Sequence, residues 1–193
     1  MTDDEILSEF RNCDALLEGH FKLSSGRHSG HYLQCARVLM NPERAGRMAR
    51  AIVQKIPREL RNGIDMVVSP AMGGLIIGHE VGRALNKDAI FLERPEGTFE
   101  LRRGFALDEG AKVLLVEDVV TTGLSSREAM KAVKGEGGEV IAMASLVDRS
   151  AGEHGFKVPF YPLIEITFPT YAEDELPAEL AAIEVTKPGS RKN

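Results

Sequence analysis

The chain has 193 residues, 43% of them hydrophobic and 27% charged, which suits a single domain over residues 1–193 with a well-filled core. Its net charge is −5, and Lys and Arg cluster only in the short tail Lys187–Lys192; a general nucleic-acid binder needs a basic face, so that class is disfavoured. No apolar run approaches the roughly 18 residues that span a bilayer, and the acidic start Met1-Thr2-Asp3-Asp4-Glu5 is unlike a secretion signal, so a soluble protein of the cytoplasm, without membrane contact, is expected.

Ile6, Phe10, Cys13 and Leu17 recur at helical spacing and predict an amphipathic helix over Asp3–Leu17, capped by Thr2 or Asp3 and ended by Gly19. Short strands are expected at Phe21–Leu23 and His31–Cys35, around the loop Ser24–Gly30. Asn41-Pro42-Glu43 starts a second helix, with Asn as cap and Pro at the first position, and Pro57 stops it. Cys13 and Cys35 lie among apolar residues without Cys-x-x-Cys spacing, and both are expected to be reduced thiols.

From Asp65 onward strands and helices alternate. Asp65–Ser69 reads as a strand, Leu75–Leu85 as a helix, Ala89–Glu93 as a strand and Thr98–Phe105 as an extended hairpin segment. Lys112–Glu117 is an unbroken apolar run, the mark of a strand buried on both faces. A helix over Ser125–Lys134 and a strand over Glu139–Leu146 follow, then a last strand at Tyr161–Thr167 and a helical turn at Glu175–Ala182. The alternation predicts an α/β fold with a mainly parallel central sheet flanked by helices.

The richest segment is Glu117-Asp118-Val119-Val120-Thr121-Thr122-Gly123-Leu124-Ser125. A buried strand delivers two adjacent acids to its C-terminal end, where open α/β sheets bind ligands. The hydroxyl-rich turn then enters a helix, and backbone N–H groups at a helix start favour a phosphate. Acids beside a phosphate cradle repel a bare phosphate, but a sugar phosphate reconciles them. The carboxylates then accept hydrogen bonds from ribose hydroxyls while the turn holds the 5′-phosphate. Gly-x-x-x-x-Gly-Lys-[Ser/Thr] is absent, which excludes a Walker-type nucleotide loop.

This run closely resembles the phosphoribosyl-pyrophosphate (PRPP) motif of type I phosphoribosyltransferases. Two further segments resemble the orotate branch of that family: Phe21-Lys22-Leu23-Ser24-Ser25-Gly26-Arg27-His28-Ser29 with Tyr32, and Ser145-Leu146-Val147-Asp148-Arg149. The resemblance implies the type I phosphoribosyltransferase fold, with a small N-terminal hood built from residues 1–40 and the C-terminal segment. It implies transfer of ribose 5-phosphate from PRPP to N1 of orotate, a Mg²⁺ ion bridged mainly by substrate oxygens, and a homodimer with shared active sites. Arg149 would pair its guanidinium with the orotate carboxylate, and Thr121 and groups near Arg27 and Tyr32 would read the ring. Val68–Leu75 is similar to the family's pyrophosphate loop, so Ala71, Met72 and Gly73 are expected at the diphosphate; the resemblance implies a loop that often carries a cis peptide, for which Ala71–Met72 would be the place, without deciding whether it is cis here.

The chain departs from the family pattern in its cations. Ser24 and Gly73 stand where many relatives carry Lys, and the mobile loop keeps only Arg94 in place of its first Lys, with no second Lys and no His. Arg94, Arg102 and Arg103 are the local substitutes, Arg94 and Arg103 being the expected catalytic cations. Two other functions compete. A phosphoribosyltransferase for a purine or uracil has no use for Arg149. A non-catalytic regulator binding RNA or DNA fits poorly with the acidic balance and the lack of an added helix-turn-helix segment.

Overall fold

The computed structural model describes residues 1–23 and 25–187; Ser24 and the tail from Pro188, with most of the Lys187–Lys192 cluster, lie outside the described residues. The chain divides into two compact units, Met1–Val38 with the chain from Thr167 onward, and Leu39–Ile166. In chain order the elements begin α1 (Asp3–Asn12), β1 (Leu16–Lys22), β2 (His28–Leu33), α2 (Cys35–Leu39), α3 (Pro42–Lys55), α4 (Arg58–Asn62), β3 (Met66–Pro70), α5 (Gly74–Leu85), β4 (Ala89–Glu93) and β5 (Glu100–Leu101). They continue with β6 (Lys112–Val120), α6 (Leu124–Gly135), β7 (Glu139–Asp148), β8 (Phe160–Glu165), β9 (Thr170–Tyr171), α7 (Ala178–Ala181) and β10 (Val185–Thr186).

In the first unit, α1 opens on a capping box: the Thr2 hydroxyl accepts from the Glu5 N–H at 3.3 Å, and the Glu5 carboxylate accepts from the Thr2 N–H at 2.8 Å. Ile6 and Phe10 are buried as expected, but the helix ends at Asn12 rather than Leu17. Asp14 turns into the left-handed region (φ 50°), and Leu17 belongs instead to β1, so its helical spacing with Phe10 is coincidental. Gly19 marks an irregularity of register inside β1 rather than a helix stop. The four strands pair in the order β10-β1-β2-β9, and no disulfide links Cys13 to Cys35.

The second unit holds a six-stranded sheet in the order β5-β4-β3-β6-β7-β8, parallel except for β5, which pairs antiparallel with β4. Val113, Leu114, Leu115 and Val116 are fully buried, which requires cover on both faces of the sheet. Val68 clusters with Ala129 and Val133 of α6, whereas the next residue, Ser69, lies under Gly78 of α5. Successive strand residues face opposite sides, so α5 and α6 cover opposite faces.

The seat of α5 is unusually close. Gly74, Gly78 and Gly82 recur every four residues on one face, and a Cβ on them would fall 2.8 Å from the Val116 carbonyl oxygen, 2.5 Å from Ser69 Oγ and 2.8 Å from Ala89 Cβ respectively. The helix backbone therefore rests on the sheet with no side-chain layer between. α3 starts as expected, with the Asn41 side chain accepting from the Arg44 N–H at 2.9 Å.

Two strands outrun their predicted ends. β6 continues to Val120 and β7 to Asp148 because the pair stays in register through Glu117↔Ser145, Val119↔Val147 and Val120↔Asp148. Among the described residues no helix is long and apolar enough to cross a membrane.

Candidate active site

The order of the large sheet reverses between β3 and β6: from β3 the chain builds outward to β4, then returns to lay β6, β7 and β8 on the other side. Loops leaving the C-terminal ends of two such strands diverge and open a crevice, the usual ligand site of an open α/β sheet. Here the two loops are Ala71-Met72-Gly73, before α5, and Thr121-Thr122-Gly123, before α6.

Glu117 and Asp118 stand near the end of β6, beside the first loop. A Cβ on Gly73 would lie 2.5 Å from Asp118 Oδ1, and one on Gly74 would lie 3.4 Å from Glu117 Oε2. Glycine at 73 is what lets the backbone come so near the Asp118 carboxylate, and glycine at 74 so near the Val116 carbonyl, 2.8 Å from such a Cβ. The Ala71–Met72 peptide is cis, and Met72 is exposed.

Burial, and then the neighbouring Asp118 charge, push Glu117 up from the ordinary carboxylate range to about 8. The Ser125 hydroxyl donates to Glu117 Oε1 at 3.3 Å and opposes that rise, as does the more distant positive charge of Arg94. Asp118 is also raised by burial, against a hydrogen bond from the Val119 N–H to its Oδ1 at 2.9 Å. Two adjacent oxygen-donor carboxylates with suppressed ionisation form a site that gains from an incoming cation or hydroxyl donors. They also suit a hard ion such as Mg²⁺, though two carboxylates leave most of an octahedral shell to other ligands. Among the described residues no group of three or more His, Cys, Asp and Glu gathers into a metal-binding cluster.

Past Val120 the chain turns through Thr121 and Thr122, both exposed, and through Gly123 at φ 69°, before α6 begins. The hydroxyls of Thr121, Thr122 and Ser125 thus surround a helix start. The Arg149 N–H donates to the Val120 carbonyl at 2.8 Å, which fixes Arg149 beside the residue that leads into this turn. The acids and the glycine loop are therefore neighbours, the turn continues from the acids' strand, and the Arg149 backbone is bonded to the residue that leads into the turn.

The expected cations are paired with carboxylates. Arg94 donates to Glu128 at 2.6 Å and lies 4.0 Å over the Phe99 ring. Arg103 grips Glu93 through two bonds, at 2.7 and 3.1 Å, with Arg102 3.9 Å from the same carboxylate. In the other unit, the Arg27 guanidinium donates to Thr170 Oγ1 at 2.9 Å and to the Thr170 carbonyl at 2.6 Å, while the Tyr32 ring lies 5.7 Å from that of Phe21.

Sequence reasoning passed over Arg127. Its Nη1 donates to the Thr122 carbonyl at 2.8 Å and to the His154 carbonyl. A signal was present: a cation in the opening turns of a helix opposes the helix dipole and calls for a local reason.

Comparison with known proteins shows the family. The model of the phosphoribosyl transferase domain matches residues 36–169. The chain is 76% identical over 191 residues to a protein named orotate phosphoribosyltransferase from Erythrobacter litoralis, covering 99% of both chains. It is 73% identical over 192 residues to another of that name from Sphingopyxis alaskensis, covering 99% of this chain and 98% of the other. Among solved structures, orotate phosphoribosyltransferase from Aeropyrum pernix superposes with a TM-score of 0.70 at 25% identity, over 83% of this chain and 93% of that one.

Proposed function

Given that this chain belongs to the phosphoribosyltransferase family, as an orotate phosphoribosyltransferase, we propose that the crevice between β3 and β6 carries its chemistry. The enzyme transfers ribose 5-phosphate from PRPP to N1 of orotate, giving orotidine 5′-phosphate and pyrophosphate on the route to UMP. The observation that carries the assignment of residues is the position of Glu117, Asp118 and the Thr121–Ser125 turn at the point where strand order reverses, with the Arg149 N–H bonded to the Val120 carbonyl that leads into the turn.

The bond from ribose C1 to the pyrophosphate oxygen breaks as N1 of orotate approaches, through an oxocarbenium-like state. No protein nucleophile is needed, so the residues act by position and charge. Glu117 and Asp118 accept hydrogen bonds from the ribose hydroxyls and stabilise the positive charge that grows on the ring. Their contact with that charge and with hydroxyl donors favours the ionised form that burial suppresses. Val119 and Val120 carry the strand into the turn, where the hydroxyls of Thr121, Thr122 and Ser125 and the N–H groups of Gly123 and Leu124 hold the 5′-phosphate. Ala71, Met72 and Gly73 present backbone to the pyrophosphate, joined by Arg94 and Arg103 once these exchange Glu128 and Glu93 for phosphate oxygens. Glu117 and Asp118 are the carboxylates that would face a bound Mg²⁺, which would supply positive charge to the pyrophosphate. Arg149 pairs with the orotate carboxylate, while Thr121 reads the ring.

In this reading residues 1–193 serve one activity as a cytoplasmic homodimer, with residues 1–40 and the C-terminal segment as the hood portion. A loop Arg reaches the partner's site, and nucleic acid has no part. The test is loss of orotate absorbance with PRPP and Mg²⁺. Turnover of adenine, guanine, hypoxanthine or uracil in place of orotate would overturn the roles given to Arg149 and Thr121.

A further inference from the structure

Arg127 lies outside every motif that pointed to the site, yet its guanidinium is built into the phosphate turn. One nitrogen, Nη1, donates to two carbonyls, that of Thr122 in the turn and that of His154 in the connection between β7 and β8. The packing there leaves no slack. A Cβ on Gly123 would collide with the His154 carbonyl, lie 2.9 Å from the Phe156 ring and lie 3.0 Å from Arg127 Nη1. His154 is itself fixed, its ring Nδ1 accepting from the Phe156 N–H at 3.0 Å and its imidazole stacked on the Phe156 ring at 4.3 Å.

Two carbonyl oxygens that converge at a helix start repel each other and, in a half-buried place, both need a donor. Arg127 meets that need with the two hydrogens of one nitrogen. The consequence for ligand binding comes from peptide planarity. In a trans peptide the C=O and the following N–H point in opposite directions. Holding the Thr122 carbonyl on Arg127 therefore turns the Gly123 N–H away from Arg127, so that it stays available to an anion instead of rotating with the loop. Gly123 has no side chain to restrain its φ of 69°, so the orientation of its peptide depends on the hydrogen bonds around it.

We propose that Arg127 is a positioning residue for the 5′-phosphate: it locks the Thr122–Gly123 peptide to the backbone at His154 and so presents the Gly123 N–H to the phosphate dianion. This rests on the assignment of Thr121–Ser125 as the phosphate turn. Arg127 adds favourable charge near the phosphate as a secondary effect, while its hydrogen bonds go to backbone.

Ribose 5-phosphate is the probe that isolates this turn, because it carries the 5′-phosphate without the pyrophosphate. Arg127→Ala, Arg127→Gln and Arg127→Lys are compared with the parent by calorimetric titration with ribose 5-phosphate and by steady-state kinetics in PRPP. In the Ala and Gln variants the Kd for ribose 5-phosphate and the KM for PRPP rise about tenfold, with kcat changed less than about threefold. Arg127→Lys, which keeps a multiple donor, stays within about threefold of the parent. Folded Ala or Gln variants that bind ribose 5-phosphate as the parent does would overturn the proposal. So would failure of both neutral variants to fold where the Lys variant folds, since Arg127 would then be a stabilising clamp only. If the parent itself bound neither ribose 5-phosphate nor PRPP, the assignment of the turn would fall, separately from the role of Arg127.

Discussion

Replacing Glu117 by Gln should make the protein more stable and less active, and the gain in stability should grow with pH. In the folded chain, burial raises the Glu117 carboxyl to about 8, against 4.5 for the ordinary group. The native state thus holds this proton more tightly than the unfolded state does. Between those two values each rise of one pH unit removes about 1.4 kcal/mol of stability, because the native chain must keep a proton that the unfolded chain has released. From pH 5 to pH 8 the loss amounts to on the order of 4 kcal/mol, and above pH 8 it levels off. Gln carries no such penalty, and Asp118 is present in both proteins, so the difference between them reports Glu117 together with its coupling to Asp118. Urea unfolding of parent and Glu117→Gln at pH 5, 6, 7 and 8 measures it. The stability difference should widen steadily with pH, while kcat/KM falls about a hundredfold for want of a negative charge beside the ribose. A difference that stays flat across the series, within about 1 kcal/mol, would refute the reasoning that Glu117 is held neutral by its surroundings.

Arg149→Ala should raise the KM for orotate by ten- to a hundredfold, the loss of about 1.5–3 kcal/mol expected for a charged hydrogen-bonded pair, with the KM for PRPP within about threefold; equal loss in both, read from initial rates, would place Arg149 elsewhere in the mechanism. A chelator such as EDTA should abolish turnover and added Mg²⁺ restore it, and activity that survives exhaustive chelation would remove the ion from the scheme. Gly78→Ala sets a methyl 2.6 Å from Ser69 Cβ. The crowding costs about 1–3 kcal/mol and outweighs roughly 1 kcal/mol of helix propensity, so calorimetry should show a melting temperature lower by about 2–4 °C; a rise instead would mean that α5 can lift from the sheet freely.

The large sheet was legible because its strands announce themselves. An unbroken run such as Val113–Val116 has no other stable home than between two layers of helix. Caps were legible too, since Thr2 with Glu5 and Asn41 with Pro42 satisfy local donors within a few residues of themselves. Legibility failed where partners distant in sequence decide. Leu17 has helical spacing, but its strand pairing with Tyr32 wins. The ends of β6 and β7 lie beyond their apolar runs because each strand holds the other in register. At the site, the acids and the turn were readable as one continuous segment, and Arg149 came from resemblance. The engagement of Arg94, Arg102 and Arg103 by Glu128 and Glu93, and the hold of Arg127 on His154, depend on tertiary neighbours that no local pattern names.

The glycine row of α5 has a mechanical consequence. A helix cushioned by side chains absorbs a disturbance, because rotamers on either side adjust. Gly74, Gly78 and Gly82 leave no such cushion, and the helix meets the sheet as one rigid bar touching another. The bar spans about 12 Å from Gly82, at Ala89, to Gly74, at the pyrophosphate loop. A bulkier side chain at residue 89 would therefore lift the Gly82 end, pivot the bar about Ser69 and press the Gly74 end toward Val116. The displacement would reach the loop as a tilt of Gly73 and Gly74 against the two acids. Small size at Ser69 and Ala89 is thus a requirement set by the alignment of α5 on the sheet, felt at the crevice between β3 and β6.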